Sequence, residues 1–271
     1  MAGHGHPAHA NGRGRRDPLR PPGPQTGRDA GPGRRRSRHG APLPARRRLH
    51  HRLPATHRAL ATHLAAASGA TVHVLDYRLA PEHPYPAALE DVLAAYWELL
   101  DRGATPGRTA VAGDSAGGWL ALTAALWLRD SGDPAPAALG LISPWLDLTG
   151  SAWPDDRTDA MLRPAWLRRC AREFGTGTDP AELAPLEADL AGLPPITMHV
   201  GSEEILLDDA VRLAHRARAA GVPVDLRRLD GLWHVAHASA GLVTASTAAV
   251  SALGSSLRAH LADGERRLPA G

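Results

Sequence analysis

From Pro54 onward, stretches of helix-forming composition alternate with short β-branched and aliphatic runs. Residues 55–67 have helical composition and Gly69 can stop them, after which Thr71-Val72-His73-Val74-Leu75-Asp76 reads as a strand. A proline-studded loop over 77–86 leads to a helix over 87–101, a strand over 109–113 and a helix over 116–129. Strands are further predicted over 138–143, 196–201 and 222–229, with a helix over 206–220 and a last one over 236–261; residues 262–271 should fray. Strands and helices taking turns at this spacing require a parallel sheet covered on both faces, the α/β class.

The alternation lapses between Pro144 and Pro195. Trp145, Trp153, Met161, Leu162 and Trp166 supply apolar bulk there among short, proline-interrupted helical pieces such as 164–174. An excursion beyond the end of a strand is expected to wall or cover a site as a lid. Residues 1–53 show neither period. Gly, Pro, Arg and His dominate them and aliphatic residues are isolated, so the segment is expected to be a disordered basic arm preceding a domain over 54–271.

Charge sharpens that division. Residues 1–52 hold 13 Arg against Asp17 and Asp29, and the rest holds 18 Arg against 26 Asp plus Glu, so the chain's net +3 conceals a basic segment and an acidic domain. Arg34-Arg35-Arg36 and Arg46-Arg47-Arg48 could neutralise phosphates, but no aromatic residue accompanies them for base stacking, which argues against nucleic acid as a partner. Pro21, Pro22 and Pro24 defeat the amphipathic helix of a transit peptide. At 271 residues, one large domain with a full core is expected. The single cysteine, Cys170, excludes an intrachain disulfide framework and is expected to be a small packing residue. With no signal-type leader and no apolar run approaching ~20 residues, the expectation is a cytoplasmic protein without a membrane span.

The candidate chemistry centres on Gly113-Asp114-Ser115-Ala116-Gly117-Gly118, between a predicted strand and a predicted helix. A serine flanked by glycines two residues either side has the layout of a nucleophile elbow, whose tight turn leaves no room for side chains. A serine nucleophile needs a base to take its proton and an acid to orient the base. Glu203, Glu204, Asp208 and Asp209 follow the strand ending at Gly201, and His234 follows the next strand. The chain order is thus Ser, then carboxylate, then His. His237 is the rival base, but it is expected to lie inside the last helix.

Together with Asp76-Tyr77-Arg78-Leu79-Ala80-Pro81-Glu82-His83-Pro84 and Leu232-Trp233-His234-Val235, the elbow resembles the bacterial hormone-sensitive-lipase family (family IV) of carboxylesterases. The resemblance runs from about Pro54 to Leu261. It implies an α/β-hydrolase fold and hydrolysis of small carboxylic esters, usually with short acyl chains, without metal or cofactor. It carries the nucleophile to Ser115, the base to His234 and the acid to Glu204, where the family more often has Asp; Asp208 is the weaker candidate. Family members often dimerise, which makes a homodimer an expectation from resemblance alone.

One family element is missing. Members carry a His-Gly-Gly-Gly loop before the Asp-Tyr-Arg-Leu-Ala-Pro segment, whose N–H groups join that of the residue after the nucleophile, here Ala116, in an oxyanion hole. This chain has Ala41-Pro42-Leu43-Pro44-Ala45-Arg46-Arg47-Arg48-Leu49-His50-His51-Arg52-Leu53 in that place. With permitted codons, the same DNA read one nucleotide later can spell Ala-Pro-Leu-Tyr-Leu-His-Gly-Gly-Gly-Tyr-Ile-Ile-Gly-Ser. Residues 1–53 are therefore expected to be out of frame, which sequencing the gene across these codons decides. In the family's fold the lost strand lies centrally, so its loss should strip pairing from mid-sheet groups at about 1–3 kcal/mol each. An inactive remnant that only binds, through the basic arm, is the alternative function.

Overall fold

The computed structural model describes residues 57–149 and 159–267. The basic segment with its boundary at 53, and residues 150–158 of the excursion, lie outside that description.

Among the described residues, four strands form one sheet: β1 (Ala110–Asp114), β2 (Ala138–Ile142), β3 (Ile196–Gly201) and β4 (Val224–Leu229). They lie side by side in chain order and every pairing is parallel. Parallel neighbours need crossovers, and α3 (Ala116–Ser131) and α5 (Leu207–Ala219) supply two of them. Strand β2 shows why both faces are covered: all five of its residues are buried. Leu139 and Leu141 pack with Leu122 of α3 and Leu213 of α5. Ala138 and Ile142 turn to the opposite face, where Leu60 of α1 (Arg58–Ser68) and Leu253 of α6 (Thr244–Arg267) meet them. On that face Gly140 packs closely, since a Cβ there would sit 3.1 Å from Leu257 Cδ1 and 3.3 Å from Ala112 Cβ. Helix α2 (Ala87–Asp101) joins α3 over the first face, where Leu89, Leu93 and Tyr96 pack with Trp119 and Leu128. Helix α4 (Pro164–Phe174) adds Leu167 and Ala171 to the same cluster.

Two predicted elements differ. Residues 71–79 are described without regular secondary structure, and among the described residues β1 pairs with β2 alone. A strand exists only through its ladder, so an apolar run without a bonded neighbour does not become one. The predicted helix over 236–261 is interrupted: a 3-10 turn (Ala236–Ser239) comes first, Gly241 takes φ +87°, and α6 begins only at Thr244. Helix α6 then continues to Arg267, past the point where fraying was expected. Among the described residues, no helix is long and apolar enough to cross a membrane.

Candidate active site

Strand β1 runs directly into Ser115, which takes φ 53° and ψ −119° before α3 starts. Few non-glycine residues hold that conformation without support. Support comes from three backbone bonds: Ser115 N–H donates to Ile142 O (2.9 Å), while its carbonyl accepts from Gly118 N–H (2.9 Å) and Trp145 N–H (3.1 Å). A Cβ on Gly113 would lie 2.1 Å from Gly117 O, and one on Gly118 would lie 2.7 Å from Pro144 Cβ. Gly117 differs, with no atom nearer than 4.0 Å to a Cβ built there. The elbow therefore depends sterically on Gly113 and Gly118, not on the pair symmetric about the serine.

The other two triad candidates come from the ends of β3 and β4. Strand β3 ends at Gly201, where a Cβ would lie 2.1 Å from Leu232 O, so the two loops can close on each other only over glycine. His234 Nε2 stands 3.0 Å from Ser115 Oγ, and His234 Nδ1 stands 2.9 Å from Glu204 Oε2. Ser115, His234 and Glu204 are all buried. The other Glu204 oxygen accepts from Gly201 N–H and from Ser143 Oγ, both at 2.6 Å. A carboxylate held by three donors is fixed in position and kept acceptor-only toward the imidazole. Ala116 opens α3, and a first-turn N–H has no intrahelical acceptor, so it can point a donor at an anion beside Ser115.

The structure thus brings together Ser115, His234, Glu204 and Ala116, and leaves Asp208 exposed in the first turn of α5. Asp209, next to it, is buried and accepts from Leu146 N–H (2.9 Å) and Asp147 N–H (3.1 Å). Burial pushes its carboxyl up to about 6, against the pull of those two donors. His237 is not in the last helix but in the 3-10 turn, with Nε2 3.1 Å from His199 Nδ1. Burial depresses both imidazoles, His199 to about 3 and His237 to about 4, so the pair is neutral near pH 7. Neither reaches the candidate nucleophile.

Ser143 was missed by sequence reasoning. It sits one residue past β2 with φ 47°, donates to Glu204 Oε1, and accepts from Val235 N–H at 3.0 Å. One hydroxyl therefore ties the acid to the residue after the base. No local signal marks it, since a serine after a strand is common.

Beside Ser115 opens a hollow of about 240 Å³, lined by Tyr77, Trp119, Trp145, Leu148, Trp166 and Phe174 among others. Trp119 is fixed by Nε1–H to Leu183 O (3.1 Å) and stands edge-on to Phe174, ring centroids 5.3 Å apart. The rim at 77–80 is anchored by Arg78, whose guanidinium binds Asp91 and Glu90 and donates to Ala87 O. Cys170 packs against the core cluster, as expected of a small packing residue, and it also lines this hollow, with its thiol pushed up to about 11 by burial.

The sequence profile of the alpha/beta hydrolase fold matches residues 51–238. The chain belongs to the alpha/beta hydrolase fold family. Within that family it is of the hormone-sensitive-lipase type, a carboxylesterase-like hydrolase. An acetyl-hydrolase of Streptomyces hygroscopicus is 43% identical over 216 residues, covering 78% of this chain and 72% of that protein. An esterase of Acinetobacter venetianus is 40% identical over 186 residues, covering 66% of this chain and 61% of its own length. Among solved structures, an esterase from the bacterial hormone-sensitive lipase family superposes with a TM-score of 0.74 at 41% identity, covering 77% of this chain and 72% of the other. Another is EstE5, soaked with p-nitrophenyl butyrate, at TM-score 0.73 and 40% identity, covering 77% and 72%.

Proposed function

We propose that this alpha/beta hydrolase cleaves short-chain carboxylic esters through Ser115, His234 and Glu204. The observation that carries the reading is the unbroken chain Ser115 Oγ, His234 Nε2, His234 Nδ1, Glu204 Oε2, with spacings of 3.0 and 2.9 Å. Ser115 Oγ attacks the ester carbonyl carbon while its proton passes to His234 Nε2. Glu204 holds the imidazole in orientation and stabilises the imidazolium. As the tetrahedral adduct collapses, the C–O bond to the alcohol breaks and His234 returns the proton to the leaving oxygen. Water, deprotonated by the same imidazole, then releases the acid and restores Ser115. Ala116 N–H donates to the oxyanion throughout. The 240 Å³ hollow supports a small acyl group, and its aromatic lining supports an apolar one.

The test is hydrolysis of p-nitrophenyl butyrate by the chain and by Ser115→Ala, with circular dichroism showing that both are folded. A rate that falls to background in the variant supports the reading, and equal rates overturn it.

A further inference from the structure

Three non-glycine residues among those described take positive φ: Ser115 (53°), Ser143 (47°) and Val235 (52°). All three belong to the candidate site. Ser115 is the candidate nucleophile, Ser143 donates to the candidate acid, and Val235 directly follows the candidate base. Such outliers persist only where the surroundings hold them. Val235 is the most demanding of the three, because a β-branched side chain makes the left-handed region a genuine outlier. It takes φ 52° and ψ 38° where the loop after β4 enters the 3-10 turn.

A closed circuit of hydrogen bonds holds that residue from both sides. Val235 N–H donates to Ser143 Oγ at 3.0 Å. Ser143 N–H in turn donates to His199 O at 2.8 Å, one residue past the register pair of Ile142 and His199. His199 Nδ1 then stands 3.1 Å from His237 Nε2, and His237 lies two residues beyond Val235. Ser143 fixes the N–H side of Val235, and the imidazole pair fixes the chain that leaves it. Both arms are rooted at the ends of β2 and β3, where neighbouring strands hold them.

The pair is poorly suited to filling space and well suited to this task. Both rings are buried, His199 at 0% and His237 at 1% exposure. Being neutral near pH 7, one ring can donate its N–H to a bare nitrogen of the other. The outer nitrogens, His199 Nε2 and His237 Nδ1, have no hydrogen-bond partner among the described residues. Two leucines would fill the same space without orphaning either nitrogen, so the bond between the rings is what the imidazoles provide.

We propose that His199 and His237 are positioning residues for the base: their hydrogen bond pins the turn beyond Val235, keeps Val235 in the left-handed region, and so holds His234 Nε2 at Ser115 Oγ. The effect on rate rests on the esterase reading; the clamp on Val235 does not.

NMR of the isotope-labelled full chain reads the clamp without substrate. A scalar coupling between His199 Nδ1 and His237 Nε2 is expected, together with a positive φ at Val235 reported by its one-bond Cα–Hα coupling. Absence of either overturns the clamp. His237→Leu, or His199→Leu, which breaks the same bond from β3, should move Val235 out of the left-handed region; a positive φ retained in the folded variant overturns the clamp. His237→Gln, whose amide nitrogen can take the place of Nε2, should keep φ positive, and its loss there also counts against the clamp. With p-nitrophenyl butyrate, kcat of His237→Leu should fall roughly tenfold or more with KM little changed. Adding Val235→Gly, which takes positive φ without strain, should restore most of that loss. An unchanged kcat, or an equal loss in both backgrounds as lost packing alone would give, overturns the positioning role. If the NMR results are as expected and the parent shows no Ser115-dependent hydrolysis, the esterase reading fails and the clamp stands.

Discussion

Ser143 shows how much a single buried hydroxyl can hold. It supplies one of the three bonds to the Glu204 carboxylate and also receives the N–H of Val235, the residue following the candidate base. Ser143→Ala would remove a donor from a buried carboxylate and leave the Val235 N–H without its acceptor, a loss of about 1–3 kcal/mol per orphaned group. The expected outcome is a kcat lowered roughly tenfold with KM little changed, because Ser143 does not line the hollow beside Ser115 while the acid and base both lean on it. The His199 and His237 pair makes a pH prediction. Their folded values, about 3 and about 4, lie below the ordinary 6.5, so the unfolded chain binds more protons between those limits. Their contribution to stability is therefore complete above pH 6.5 and is lost as pH falls toward 4. Asp209, raised to about 6, acts with the opposite sign, losing its contribution as pH rises from the ordinary 3.8 through about 6. Two imidazoles against one carboxyl leave net acid destabilisation, read as a Tm that drops from pH 7 to pH 5 and drops less in His237→Gln.

At the level of elements, the elbow makes the sharpest contrast. Gly113→Ala places a Cβ 2.1 Å from Gly117 O and should abolish both the turn and activity, whereas Gly117→Ala, with no neighbour nearer than 4.0 Å, should fold and match or exceed the parent Tm, as alanine is favoured over glycine in a helix by up to about 1 kcal/mol. Thermal melts and ester hydrolysis of the two variants check this. The same region shows what was legible beforehand. Four strands and the helices between them could be read from composition because each buries its own apolar face. The order of serine, carboxylate and histidine could be read because each follows a strand end. What escaped was whatever depends on a neighbour distant in sequence. Residues 71–76 have strand composition but lack a ladder partner among the described residues. Ser143 and the His199–His237 pair acquire their roles only when β2, β3 and the 3-10 turn are folded together. The steric need for Gly118 rather than Gly117 likewise comes from Pro144, which no local pattern reveals.

At the scale of the whole molecule, a well-held candidate triad stands at the ends of a four-stranded sheet whose β1 side borders a cleft of about 930 Å³. The triad side chains and the hollow belong to the half of the domain around β1 to β4, where pairing is continuous. The cleft lies on the far side of β1 and borders the elbow at Gly117. Turnover depends on stabilisation of the oxyanion as well as on activation of the serine, so it is the less direct readout of the triad. The central claim, that His234 activates Ser115, is tested most directly by covalent labelling. Phenylmethanesulfonyl fluoride transfers its sulfonyl group to an activated serine oxygen with loss of fluoride, and peptide mass spectrometry locates the adduct. The account predicts one adduct, on Ser115, none in Ser115→Ala, and a labelling rate lower by about 10²-fold or more in His234→Ala. Labelling of a different residue, or an unchanged rate without His234, would contradict it.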